Sequence, residues 1–137
     1  MGHWNVRASN GIHLPQIGWH LDARFPVERC FVSHAHFDHM APHALVLCSE
    51  GTARLMRSRM PGEREEIVLP FGQPHDLRDG TCVTLHAAGH IFGSAQLRAE
   101  NDLGSLLYTG DFKLRAGLSA EACETPHAQT LVMETTF

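Results

Sequence analysis

The chain has 137 residues, of which 43% are hydrophobic and 19% charged, the size and balance of one globular domain rather than a disordered segment. Its formal charge of −4 leaves no basic footprint for nucleic acid, so such a substrate would need metal ions or another domain to supply the positive field. No run of about 18 apolar residues is present to cross a membrane, and the N-terminus has neither a secretory leader's layout nor a myristoylation signal, so a cytoplasmic location is expected.

In chain order, Val27 to Ser33 predicts a strand that runs straight into a histidine-rich stretch. Ala44 to Cys48 is a short apolar run bounded by polar residues and predicts a buried strand. Ser49 is suited to cap a helix that continues to about Met60, with Leu55, Met56 and Met60 as its apolar stripe and Pro61-Gly62 as its stop. Glu66 to Phe71 and Thr81 to His86 predict strands, the second after the turn signal Asp79-Gly80. Ala95 to Ala99 and Ser105 to Thr109 predict a hairpin across Glu100 to Gly104, and Leu131 to Glu134 a last strand. The result is an α/β arrangement in which strands dominate, with one or two helices. Cys30, Cys48, Cys82 and Cys123 have no CxxC spacing and are expected to be reduced, mostly buried thiols.

The chemistry is concentrated in His34-Ala35-His36-Phe37-Asp38-His39. Two positions apart on extended backbone, His34 and His36 project to the same side, half of a tetrahedral site that suits zinc. Asp38 and His39 can reach a neighbouring position only if the chain turns at Phe37, so the spacing points to two metal positions side by side. Partners stand after later strands, as Gly89-His90 and Gly110-Asp111, each preceded by a glycine that permits a sharp turn. His90 would be the third nitrogen ligand beside His34 and His36, and Asp111, with two oxygens, could bridge both metals.

With these residues in place the chain resembles the metallo-β-lactamase superfamily, whose HxHxDH signature is His34 to His39. The stretches AAGHIFGSAQ (Ala87 to Gln96), YTGDFKLR (Tyr108 to Arg115) and METTF (Met133 to Phe137) are similar to the β-CASP nuclease branch. That branch includes RNA-processing and ligase-associated DNA exonucleases and an mRNA 3′-end processing endonuclease. The resemblance implies an αββα sandwich of which residues 1–137 form the N-terminal half, stopping where the β-CASP insert would begin. It implies two zinc ions, the first held by His34, His36 and His90 and the second by Asp38, His39 and the bridging Asp111, with the second site's last histidine absent from this chain. Asp22 matches an acidic residue that supports the metal loop, and Glu134 the acidic residue that opens the β-CASP motifs. By similarity the reaction is hydrolysis of RNA or DNA phosphodiesters by a metal-bridging hydroxide, as an exonuclease, with His36, Asp38 and Asp111 as its catalytic residues. Asp38 is placed to orient that hydroxide, and Lys113 and Arg115 could contact a phosphate or be surface charges.

Two other functions fit part of the pattern. One is a thioester or lactam hydrolase of the same superfamily, against which Met40-Ala41-Pro42-His43 follows the cluster in place of glycines. The other is a non-catalytic metal-binding half-domain that works only with a partner chain. A missing half would leave apolar strand faces bare, so association with a C-terminal half or self-association through exposed strands is expected. His43 is expected to be solvated or to support the cluster, His86 to be a strand residue, and Ser94 to hydrogen-bond near the His90 loop. His13, His20, His75 and His127 have no partner spacing and receive no role.

Overall fold

The computed structural model describes residues 2–134; the last three residues of METTF, Thr135 to Phe137, lie outside the described residues, as does Met1. Two five-stranded sheets carry the fold. In the first, β1 (Ile12–Leu14), β2 (Trp19–Leu21), β3 (Arg29–Phe31), β4 (Leu45–Ser49) and β5 (Glu65–Leu69) lie side by side in chain order. Only β1 and β2 pair antiparallel; β2 through β5 run parallel. The second has the order β10-β9-β8-β7-β6, built from β6 (His75–Asp76), β7 (Cys82–Ala87), β8 (Ala95–Asn101), β9 (Gly104–Tyr108) and β10 (Thr130–Val132). The strands β6 to β9 form an antiparallel meander, and β10 returns parallel to β9.

Parallel neighbours require a crossover, and α1 (Glu50–Arg59) supplies it between β4 and β5. The Ser49 side chain caps it by accepting the Thr52 N–H at 3.1 Å, and Arg57 and Arg59 sit in the last turn, where positive charge complements the helix dipole. Met56, fully buried, is the centre of its apolar face, which packs on Cys30, Val32, Val46 and Cys48 from the outer side of the first sheet. The helix is thus the expected one, ending at Arg59, two residues before the Pro61-Gly62 stop.

Strand alternation sends the other residues of the first sheet, Leu14, Trp19, Leu21, Phe31 and Leu47, toward the second sheet. They meet Val83, Leu85, Leu97, Leu106 and Tyr108 in one continuous core. At roughly 1.5–3 kcal/mol for each large side chain buried, this layer is the main source of cohesion. It also corrects an expectation. The inner apolar faces of both sheets are buried against each other rather than bare, though Leu131 of β10 stays 53% exposed, and on the outer face of the second Gln96 and Arg98 bond the segment that leads to β10.

The predicted strands are all present, with shifted ends. The hairpin is tighter than expected, because β8 and β9 stay paired out to Asn101 and Gly104 and leave only Asp102-Leu103 as the turn. Three strands were not predicted: β1, β2 and β6 have three, three and two residues, too short for a period to emerge. Among the described residues no helix is long and apolar enough to cross a membrane. The cysteines are all free thiols, and burial pushes Cys30 and Cys48 up to about 12.

Candidate metal centre

Strand direction decides where the polar loops meet. The parallel pair β2 and β3 end on Asp22 and on Ser33-His34, while β7 and β9, each antiparallel to β8, both end at that same edge of the sandwich, on His90 and Asp111. The Ala95 N–H bonds the Ser33 carbonyl at 2.8 Å and ties the two sheets together there. The glycines before His90 and Asp111 have left-handed backbones, φ +77° and +54°. A Cβ on Gly89 would lie 2.5 Å from the Lys113 carbonyl oxygen, and one on Gly110 2.7 Å from Ser33 Cβ, so both turns require glycine by conformation and by space.

Phe37–His39 forms a single 3₁₀ turn, the bend needed for Asp38 and His39 to reach a neighbouring position, and it brings His39 back beside His34. Ring centroids are 4.7 Å apart for His34–His36, 4.8 Å for His34–His90 and 5.2 Å for His36–His90. Each of two sets, His34, His36 and His90, and His34, His39 and Asp111, has potential donor atoms within 4.8 Å of one another. Asp111 Oδ2 is 3.6 Å from His34 Nε2, 3.5 Å from His39 Nε2 and 3.7 Å from His90 Nε2. Asp38 is more exposed and belongs to neither set, although its Oδ2 lies 3.4 Å from His39 Nε2.

These separations fit a metal ion better than they fit hydrogen bonds. A tetrahedral ion with ligands at 2.0–2.1 Å separates neighbouring ligand atoms by about 3.3 Å, close to what is seen. Moreover, His34 Nε2, His90 Nε2 and Asp111 Oδ1 are buried without hydrogen-bond partners. Each would cost about 1–3 kcal/mol left so, which a shared cation relieves.

Behind the imidazoles lies a network anchored on Asp22, whose φ of +51° is a strained backbone for a non-glycine residue. Its Oδ1 accepts the Ser33 N–H at 2.8 Å. Its Oδ2 accepts the Ser33 hydroxyl at 2.7 Å, the Tyr108 hydroxyl at 2.7 Å and a hydrogen bond from His39 Nδ1 at 3.0 Å. Because the Ser33 proton goes to Asp22, Ser33 Oγ accepts from His34 Nδ1, 2.9 Å away. Both His34 and His39 thereby carry their proton on Nδ1 and turn the Nε2 lone pair toward Asp111. Ser33 and Tyr108 carry no signal in the sequence that marks them for this network; Tyr108 lies 86 positions from Asp22, and only the stacking of the sheets joins them.

Charge follows from this arrangement. Burial, then the neighbouring His39, holds His34 down to about 3, so it remains a neutral donor. Burial lowers His90 as well, more than Asp111 raises it. Burial also opposes protonation of His39, but the bond to Asp22 and the charges of Asp22, Asp111 and Asp38 outweigh it and raise that group. Burial and the Asp22 carboxylate raise the Tyr108 phenol, so it acts here only as a donor.

The remaining predicted residues are spread around this centre. Glu134 is half-buried, its N–H bonding Thr109 Oγ1 at 3.0 Å, and its charge is felt at Tyr108. Lys113 and Arg115 are exposed on the segment after Asp111. Ser94 Oγ accepts the N–H groups of His90 and Ile91 at 3.0 and 3.2 Å, close to its expected place. His86 faces away, 3.5 Å from Glu124. His43 is buried rather than solvated, and its Nδ1 accepts the Val27 N–H at 3.0 Å. Arg59, at the end of α1, donates to the Ala35 carbonyl and so holds the His34–His36 loop from the other side.

Among known proteins, the chain is 62% identical over 135 residues to a protein named probable DNA ligase from Opitutus terrae, matching 98% of this chain and 13% of that protein. It is 32% identical to the 5′ exonuclease Apollo of Gallus gallus over 86% of this chain and 24% of that protein. To the transcription termination factor FttA of Methanothermobacter thermautotrophicus it is 40% identical over 54% of this chain and 12% of that protein. The chain therefore spans between about an eighth and a quarter of these relatives. No family model matches it. A crystal structure of a protein of unknown function from Enterococcus faecalis V583 is similar in fold, with a TM-score of 0.50 and 21% identity over 62% of this chain and 25% of that chain.

Proposed function

The chain belongs to the β-CASP branch of the metallo-β-lactamase superfamily, and from that premise we propose that it is the metal-holding part of a zinc-dependent nuclease that hydrolyses phosphodiester bonds as an exonuclease. The fold on this reading is the first part of an αββα sandwich, residues 1–137 supplying its metal loops. DNA is the substrate we favour over RNA, because the relative that matches 98% of the chain is named a probable DNA ligase.

One observation carries the proposal: a single carboxylate oxygen, Asp111 Oδ2, lies 3.5–3.7 Å from three imidazole nitrogens that come from separate loops. His34, His36 and His90 would hold one ion, and Asp38, His39 and Asp111 a second, with Asp111 shared. Two such ions lower the pKa of water and offset the charge that builds on phosphate oxygens. The chain's own residues supply the rest. Asp22, through Ser33 and His39, presents the Nε2 lone pairs. Asp38, the most exposed of the six, would orient an attacking water as well as bind metal. Lys113 and Arg115, on the segment after Asp111, would meet the substrate's phosphates and partly offset the negative net charge. Glu134, bonded through its N–H to Thr109 near the start of the Gly110 turn, would support that turn.

The test is zinc content by mass spectrometry, with cleavage of end-labelled single-stranded DNA and RNA, for the wild-type chain and His36→Ala. The expected result is bound zinc and stepwise shortening of DNA from one end, both lost in the variant. Zinc content undiminished in His36→Ala would remove that ligand and the two-site reading with it. A second reading, in which the metal is held here but cleavage needs further chain, is supported by the small fraction of each relative that is matched. Its signature is wild-type chain that binds zinc and cuts neither substrate.

A further inference from the structure

His90 is carried on the turn between β7 and β8, and the two strands fix only the ends of that turn. Inside the turn Ser94 Oγ holds the N–H groups of His90 and Ile91, and the peptide groups of Gly93 tie the turn to the rest of the molecule. The Gly93 carbonyl accepts hydroxyl hydrogen bonds from Ser49 and from Thr52 at 3.1 Å, so the capped end of α1 grips one side. The Gly93 N–H donates to Glu121 Oε1 at 3.0 Å, which grips the other. Glu121 is 28 positions away, on the irregular segment that follows Asp111.

That segment crosses the turn as a strap with its own anchors. The Lys113 N–H bonds the Ala88 carbonyl at 2.9 Å, and the Glu124 N–H bonds the Ala87 carbonyl at 2.9 Å. The Gln96 side chain donates to the Glu124 carbonyl at 2.7 Å, and Glu124 Oε1 accepts the Ala87 N–H at 3.2 Å. Between these anchors Glu121 is placed to reach Gly93. A carboxylate accepting from a backbone N–H is a charge-assisted bond, roughly twice as strong as a neutral one. The strap begins at Asp111, so the Asp111 loop and the His90 turn are held to each other by the same run of chain.

We propose that Glu121 is a positioning residue for His90, acting through the Gly93 peptide. It rests on the reading of His90 as a metal ligand. Without the carboxylate the Phe92–Gly93 peptide, which carries that N–H, can rotate while the Gly93 carbonyl stays on α1, and the His90 ring leaves the position that faces Asp111. Groups hydrogen-bonded directly to a ligand typically change metal affinity 10–100-fold when removed, and Glu121, which acts through the backbone of the turn, belongs at the low end of that range.

The experiment titrates Co²⁺ into the metal-free 137-residue chain, followed by visible absorption, and measures Zn²⁺ affinity against a chromophoric chelator, for wild type, Glu121→Ala, Glu121→Gln and His36→Ala. Urea unfolding of each metal-free protein runs in parallel. Expected is a loss of Zn²⁺ affinity of about tenfold or more in Glu121→Ala with an altered Co²⁺ spectrum. Glu121→Gln, which keeps an oxygen acceptor, should recover most of both. Affinity in Glu121→Ala within about twofold of wild type, while His36→Ala abolishes binding, would overturn the positioning role alone. So would a Glu121→Ala protein that loses only stability to urea, or equal losses in the Ala and Gln variants. Unchanged binding in His36→Ala would instead bring down the metal reading, and this role with it.

Discussion

Removing the Ser33 hydroxyl is the sharpest test of how the centre is organised. In Ser33→Ala the backbone bond to Asp22 Oδ1 survives, while two side-chain bonds disappear: Ser33 Oγ to Asp22 Oδ2 at 2.7 Å and His34 Nδ1 to Ser33 Oγ at 2.9 Å. The first is a bond to a buried carboxylate, a class that contributes about 1.5–3 kcal/mol. Asp22 Oδ2 keeps Tyr108 and His39, so the low end applies. The second loss leaves an N–H of His34, a side chain with no exposure, without its acceptor, at a cost of about 1–3 kcal/mol. Little offsets these losses, because alanine introduces no clash beside Gly110. The sum is about 3 kcal/mol, on the order of 10 °C in Tm for a domain of this size. The assay is urea unfolding of the metal-free protein, with Zn²⁺ affinity measured separately. The released His34 tautomer should weaken Zn²⁺ binding about 10–100-fold. A destabilisation below about 0.5 kcal/mol with Zn²⁺ affinity unchanged would refute the claim that Asp22 and Ser33 set the His34 lone pair.

Gly110→Ala should be worse tolerated than most surface changes, since its Cβ would meet Ser33 at 2.7 Å on a backbone with φ +54°; a variant that folds with wild-type Tm would contradict the close approach described here. Met56→Ala opens a cavity beneath α1 and should cost about 2–5 kcal/mol in urea unfolding, with Zn²⁺ stoichiometry kept, because Met56 itself supplies no donor atom and the polar contacts of α1 with the loops come from its two ends. His43 supplies a pH test. Burial lowers its folded pKa from the ordinary 6.5, opposed by Ala23 and Asp22 and aided by His20 and Arg64. The unfolded chain therefore takes up a proton that the native chain refuses, and His43 stability present above pH 6.5 is lost as pH falls toward the lower folded value. The fall in urea midpoint between pH 7.5 and 5.5, measured without metal, should be smaller in His43→Gln than in wild type; equal falls would show that His43 does not carry it.

How much of this was legible beforehand depends on the range over which each feature is encoded. The helix was readable because its signals are local: a serine cap, a buried Met56 on the stripe, a proline-glycine stop. The strands between residues 27 and 109 were readable for the same reason, and their ends drifted because pairing, not composition, decides where a strand stops. The turn at Asp102-Leu103 shows this, since β8 and β9 zip past the polar residues expected to form the loop. β1, β2 and β6 left no signal, being short pieces that exist only because a neighbour supplies their hydrogen bonds. Burial of both apolar faces was also out of reach, because whether two sheets cover each other is a property of their stacking.

By itself the sequence determined which side chains could do chemistry: imidazoles and carboxylates are chosen residue by residue, and in the His34–His39 run they can converge only through a bend at Phe37. Only the tertiary structure decided that the loops of residues 34, 90 and 111 share one edge, since that follows from strand direction in two different sheets. It alone decided which nitrogen of His34 and His39 carries the proton, because Asp22, Ser33 and Tyr108 reach those rings from positions with no local relation to one another. Hydrogen bonds act over about 3 Å of space whatever the distance along the chain, and that is why the candidate imidazoles and carboxylates could be picked out in advance while the network around them could not.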